Sequence, residues 1–92
     1  VRESIIESSV IRYAKNNGFT AIKLRDMSHK GAPDRLLLYR GTAFFIEFKA
    51  PGKKLRPEQL RYKAVLEAQG FSVYRVDNIA AGIDIIKRYI YG

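Results

Sequence analysis

The chain has no cysteine, a single histidine, only nine acidic residues, and apolar runs, such as Ala43–Ile46, that last a few residues at most. The absence of cysteine excludes a disulfide framework, a zinc ribbon and a thiol nucleophile, and it leaves the redox compartment open. One histidine, His29, is a poor basis for a zinc centre. A membrane-spanning helix needs about 20 consecutive apolar residues, and no run approaches that length. The first residues carry Arg2, Glu3 and Glu7 where a secretory leader would carry an apolar segment. The expectation is therefore a soluble, cytoplasmic protein with no membrane partner. Ninety-two residues give room for one domain over residues 1–92 and for one modest core, with no space for internal repeats.

What is present is strongly one-sided. Seventeen Lys and Arg against nine Asp and Glu give a formal charge of +8, in a chain whose 47% hydrophobic content and eleven aromatic residues mark it as globular. A pI near 10.0 in a folded domain points to a polyanionic partner, because phosphate contacts by Lys and Arg release condensed counterions. Nucleic acid is the partner expected.

The apolar residues Ile6, Val10, Tyr13 and Ala14 recur at helical spacing and predict a first helix from Arg2 to Asn17, with Asn17-Gly18 as its stop. Thr20, Ile22 and Leu24 alternate with Ala21, Lys23 and Arg25, which predicts a half-buried strand leading into a polar loop over Asp26–Pro33. Asp34–Tyr39 and Ala43–Lys49, joined by Arg40-Gly41-Thr42, predict a hairpin of two strands rich in large apolar residues. Pro57 suits the first turn of a helix running to about Gln69, and Gly70 ends it. Phe71–Val76 follows as a strand. Asp77 or Asn78 is placed to cap a last helix with the stripe Ile79, Ile83, Ile86 and Ile90. The order αβββαβα, a meander followed by a helical crossover, predicts an α/β fold with a mixed central sheet flanked by helices.

The chemistry is expected on the hairpin. Glu47 and Lys49 are two residues apart and project from one sheet face, while Phe44, Ile46 and Phe48 project from the other. Taken alone, a solvated ion pair would explain Glu47 and Lys49. Asp34, however, opens the adjacent strand, and the hairpin can bring its carboxylate close to that of Glu47. Two converging acids repel and raise a carboxyl pKa unless a cation lies between them. Carboxylates, a backbone carbonyl such as that of Phe48, and water suit Mg²⁺ or Mn²⁺. Lys49 beside the metal could orient an attacking water or neutralise charge on a phosphate. The first helix supplies a third acid for the metal site, since Glu7 falls in the same angular sector as Val10 and Ala14 while Arg12 and Lys15 point the opposite way. Glu3 lies in that sector too, and a first-turn capping role covers it.

The runs Gly31-Ala32-Pro33-Asp34-Arg35, Phe45-Ile46-Glu47-Phe48-Lys49-Ala50-Pro51-Gly52-Lys53 and Arg56-Pro57-Glu58-Gln59 together resemble the virus-type replication-repair nuclease (VRR-NUC) domain, of the PD-(D/E)XK restriction-endonuclease-like superfamily. The likeness covers nearly the whole chain. It implies a restriction-endonuclease-like core in which Asp34 and Glu47 are the metal-binding acids, Lys49 the catalytic lysine, Glu7 the helix acid, and Gln59 a glutamine near the active site. By its position alone Gln59 reads as a polar residue at the rim of a packed face, beside Tyr62 and Leu66. The resemblance also implies a homodimer that cuts branched DNA such as four-way (Holliday) junctions, in DNA repair. The polar loop Asp26-Met27-Ser28-His29-Lys30 departs from the family's pattern.

Lys53, Lys54 and Arg56, directly after the catalytic strand, are candidates for phosphate contacts that position a backbone without reading bases, as are Lys23, Arg25 and Lys30. No base-reading helix is recognisable, which favours recognition of shape. His29 reads as a solvated loop residue, and Arg35 as the partner of an acid elsewhere. Tyr89 and Tyr91 read as exposed residues suited to a dimer seam. Two other readings stand beside a metal-dependent DNA endonuclease: an inert basic binding module, and an RNA-processing nuclease, since phosphate contacts do not report the sugar.

Overall fold

The computed structural model describes residues 1–24 and 29–92. Arg25 and the loop residues Asp26, Met27 and Ser28, for which a strand end, a phosphate contact and a loop were expected, lie outside the described residues. The elements are α1 (Glu3–Asn16), β1 (Thr20–Lys23), β2 (Arg35–Tyr39), β3 (Thr42–Phe48), α2 (Pro57–Ala68), β4 (Ser72–Val76) and α3 (Ile79–Tyr91). They follow the expected order. The strands form one sheet in the order β1-β2-β3-β4, antiparallel across the first two pairings and parallel between β3 and β4, which α2 joins as a crossover.

Register decides which side chains share a face. Leu37 pairs with Phe44 and Arg35 with Ile46, so Leu37, Phe44, Ile46 and Phe48 look towards α1 and α3. There they bury against Ile6, Val10 and Ala14 of α1 and Ile85 and Ile86 of α3. The alternate residues Phe45 and Glu47 look to the opposite side, where α2 packs along β4. In β1 the residue in register with core residue Leu37 is Ala21, and Ile22 on the other face stays exposed. The edge strand is therefore less buried than its alternation suggests.

Two sequence expectations for α3 change. Its buried stripe runs through Gly82, Ile85 and Ile86, with Ile83 only half-buried, because α3 crosses α1 at Gly82. A Cβ there would lie 2.4 Å from Val10 Cγ2, so the lack of a side chain sets the approach of the helices and turns the isoleucines accordingly. Tyr89 is not an exposed seam residue. It stacks on Phe44 with ring centroids 3.9 Å apart and shares a 2.8 Å hydroxyl hydrogen bond with Tyr74, whereas Tyr91 is exposed. Asn78, one of the two expected caps, accepts from the Ala81 N–H at 2.8 Å.

The chain turns at Arg40-Gly41 with both residues at positive φ, so the two strands of the hairpin have unlike ends. At the turn end Phe19 stacks on Tyr39, with 4.1 Å between centroids, and meets Phe44 edge-on. At the open end Asp34 precedes β2, and Glu47 and Lys49 close β3. Among the described residues no helix is long and apolar enough to cross a membrane.

Candidate active site

The open end of the hairpin gathers the candidate residues. Asp34 Oδ2 accepts the Phe48 N–H at 2.8 Å, a side-chain bond that ties the mouth of β2 to the end of β3. Lys49 continues the pairing with β4 by donating its N–H to the Val76 carbonyl at 2.9 Å. Glu47 and Lys49 are each only 6% exposed, although both are ionisable. The expected convergence is present: the Asp34 charge raises the Glu47 pKa, and Lys49 acts on both acids in the opposite sense.

Burial is the main influence on either carboxyl. It pushes Glu47 up to about 7, with repulsion from Asp34 next and partial relief from Lys49. Asp34 is also raised, chiefly by burial, with the Phe48 N–H opposing and the charges of Glu7 and Glu3 adding to the shift. A buried carboxyl and a half-buried one, the first discouraged from ionising by the second, are a costly arrangement for a fold that gains nothing from them.

Gln59 is 7% exposed and is the hinge between this pair and α2. Its Oε1 accepts the Arg56 N–H at 2.8 Å, capping the helix, while its Nε2 donates to Glu47 Oε2 at 2.8 Å. One side chain thus starts α2 and aims the carboxylate. Gly31 makes that start possible: it sits at φ +90°, and a Cβ would lie 2.3 Å from the Glu58 carbonyl oxygen. The segment before Asp34 therefore rests directly on the first turn of α2. Sequence reasoning had no independent signal for Gln59, because the contact joins residues on separate elements.

Glu7 is brought to the same end, where its charge acts on Asp34, but its carboxylate is engaged. Arg35 Nε donates to Glu7 Oε2 at 2.8 Å, the acid partner expected of Arg35. Among the described residues no group of three or more His, Cys, Asp and Glu is set to hold a metal. The oxygen donors for a cation are thus Asp34 and Glu47 with a nearby backbone carbonyl. That set suits Mg²⁺, which is commonly held by one or two carboxylates and otherwise by water and phosphate. His29 touches Tyr62, with 3.2 Å between its Nδ1 and the phenol oxygen and the rings edge-on.

The basic candidates differ in their freedom. Lys23, Lys30, Lys53 and Lys54 are exposed and make no ion pair among the described residues, whereas Arg56 pairs with Glu58 at 2.8 Å. The Lys53–Lys54 loop is braced by a pair that the sequence did not reveal. Arg75 Nε donates to the Lys53 carbonyl at 2.8 Å, Arg75 Nη2 reaches Asp77 Oδ2 at 3.0 Å, and Asp77 Oδ2 also accepts the Gly52 N–H at 3.0 Å. The Gly52 N–H and Arg75 hold the Asp77 carboxyl below its ordinary range. The i, i+2 spacing of Arg75 and Asp77 on one strand face was the only available hint.

No protein-family model matches the chain. It is 39% identical over 79 residues to "Putative nuclease p44" of Acyrthosiphon pisum secondary endosymbiont phage 1, covering 85% of each chain. It also superposes on a solved structure described as a VRR_NUC domain with a TM-score of 0.85 and 26% identity, over 97% of this chain and 99% of that one. The fold shared with that domain and the relation to that putative nuclease make the chain a nuclease. The chain belongs to the VRR-NUC family, as its Gly31–Arg35 and Glu47–Lys49 motifs imply.

Proposed function

We propose that this nuclease is a metal-dependent endonuclease that hydrolyses phosphodiester bonds in DNA of branched structure, such as four-way junctions. The observation that carries the reading is the pairing of a buried carboxyl, Glu47, with a half-buried one, Asp34, both raised in pKa beside a buried lysine at one end of the hairpin. Such a pair is suited to a hard divalent cation, Mg²⁺ or Mn²⁺, held by Asp34, Glu47 and the Phe48 carbonyl. When bound, the cation polarises the scissile phosphate and lowers the pKa of a water.

The chain's own residues divide the remaining work. Gln59 fixes the Glu47 carboxylate through its 2.8 Å bond, and the Phe48 N–H fixes that of Asp34. Lys49 is positioned to orient the attacking water and to offset the charge that builds on the phosphate. Glu7, anchored by Arg35, sets the field at Asp34 and assists from the helix side. Lys23, Lys30, Lys53, Lys54 and Arg56 supply sequence-independent phosphate contacts.

Preference for branched DNA follows from the family resemblance and from the absence of a base-reading helix. The same reading makes the active unit a homodimer whose two sites cut two strands. Leu60 and Val65 of α2, 53% and 55% exposed, and the neighbouring exposed Phe71 offer apolar side chains for that contact with a second copy.

The test is cleavage of a labelled four-way junction beside linear duplex, single-stranded DNA and matching RNA, with Mg²⁺, Mn²⁺ or EDTA, for wild type and Glu47→Ala. Paired, cation-dependent cuts at the junction that vanish in the variant are expected. Cutting in EDTA, or equal cutting by the variant, overturns the assignment. A preference for RNA would move the substrate to the RNA class.

A further inference from the structure

A second charged feature shares Arg35 with the acidic centre. Between α1 and the start of β2 the surface forms a cavity of about 360 Å³ lined by Ser8, Ile11, Arg12, Lys15, Asn16 and Arg35. Among the described residues three cations line it and no carboxylate does. Arg12 and Lys15 are exposed and make no ion pair among the described residues. Arg35 gives only its Nε to Glu7, so the terminal amino groups of its guanidinium are not committed to any hydrogen bond among the described residues. Lys23 stands opposite Arg35 in the β1–β2 register, which adds a fourth cation at the rim.

Clustered cations repel, and a fold normally separates them or interleaves acids. Here one acid, Glu7, pairs with Arg35 without lining the cavity. Arg35 is thus shared between the acidic centre, through Glu7, and the cations of α1. Guanidinium forks and an ammonium around an open, polar cavity match the geometry and charge of a phosphate group.

The cavity is also joined to the acidic centre. Glu7 and Arg12 lie on different sides of α1, and Arg35 links them, since it pairs with Glu7 and lines the cavity with Arg12 and Lys15.

We propose that the cavity formed by Arg12, Lys15 and Arg35 is a subsite for a backbone phosphate of the nucleic acid, adjacent to the catalytic centre on its α1 side. Its place beside a catalytic centre rests on the nuclease reading. The anion-binding character of the cavity rests on its own lining.

The test compares wild type with Arg12→Gln/Lys15→Gln and with Arg40→Gln/Lys87→Gln. The second variant removes the same charge from the turn of the hairpin and from the later part of α3. All three are confirmed folded by thermal melting, and binding of a fluorescein-labelled 20-base-pair DNA duplex is followed by anisotropy in EDTA over a series of salt concentrations. The α1 variant is expected to bind about tenfold more weakly than wild type at moderate salt, with the slope of log K against log salt reduced by about one to two. The control is expected to stay within about twofold of wild type. Equal weakening of both variants, or an unchanged slope in the α1 variant, overturns the subsite. Wild type is assayed for cleavage in parallel with Mg²⁺ or Mn²⁺. The binding difference without any wild-type cleavage would support the phosphate site while sinking the nuclease reading. Cleavage without the difference would sink the subsite alone.

Discussion

The two ends of the β2–β3 hairpin are built from the same strands and oppose one another in physical character. At the turn end, Phe19, Tyr39, Phe44, Tyr74 and Tyr89 stack or meet edge-on, and the half-buried phenol oxygens of Tyr74 and Tyr89 satisfy each other. At the open end, Glu47 and Lys49 are withdrawn from water and Asp34 is half-buried, with carboxyl pKa values raised by burial. One end lowers the free energy of the fold through apolar burial and aromatic geometry. The other raises it by burying charge. Stability and chemistry are thus separated by the length of a short hairpin, and substitutions at the two ends should fail in different ways.

The sharpest contrast is between Glu47→Gln and Phe44→Ala. The first is expected to lower the cleavage rate by about three orders of magnitude, with a melting temperature equal to or above that of wild type because an amide is cheaper to bury than a carboxylate. The second is expected to cost about 3–5 kcal/mol of stability, read from urea unfolding, while leaving cleavage per folded molecule near the wild-type value. A destabilised Glu47→Gln protein would break the division of labour. Gly31→Ala bridges the two behaviours, since its Cβ would meet the Glu58 carbonyl and displace the start of α2 that carries Gln59. A loss of about 1–3 kcal/mol should accompany a fall in activity larger than unfolding accounts for, measured by single-turnover cleavage at a temperature where the variant remains folded.

A pH series isolates the cost at the open end. Glu47 titrates near 4.5 when exposed and at about 7 in the fold, so the folded protein binds the extra proton between those values. Stability of the metal-free protein, taken as wild type minus Glu47→Gln, should therefore be highest below about pH 4.5, fall as pH rises to about 7, and level off above it. Urea midpoints in EDTA at pH 5 and pH 8 check the sign, and Mn²⁺ should flatten the fall. A difference that grew with pH would contradict the buried, uncompensated carboxyl. The smallest effect is expected at the brace of the basic loop. Asp77→Ala releases the Gly52 N–H and Arg75, and should change stability by no more than about 0.5 kcal/mol. It should raise KM for DNA a few-fold through the loosened Lys53–Lys54 loop, as read from steady-state cleavage at low salt.

Legibility differed along the same line. The element order, the hairpin, the helix stop at Asn17-Gly18 and the inward face of Phe44, Ile46 and Phe48 were readable because each depends on spacing within one segment. The Glu47–Lys49 pair and its partner Asp34 were readable because a hairpin turn relates their positions directly. The stripe of α3 was misread at Ile83, and Tyr89 was taken for a surface residue, because both depend on a helix crossing at Gly82 and on a ring stack against another element.

Local periodicity and turn chemistry, acting over a few residues, determined from the sequence alone the strands and helices, the basic surplus and the candidate acids Asp34 and Glu47. The tertiary structure decided the contacts between distant segments: Gln59 on Glu47, Arg35 on Glu7, Gly31 against the start of α2, and Arg75 with Asp77 beneath the basic loop. These contacts depend on the angle and separation at which helices and sheet pack. Those follow from the fit of all the buried side chains together, and no periodicity in a single segment reports them.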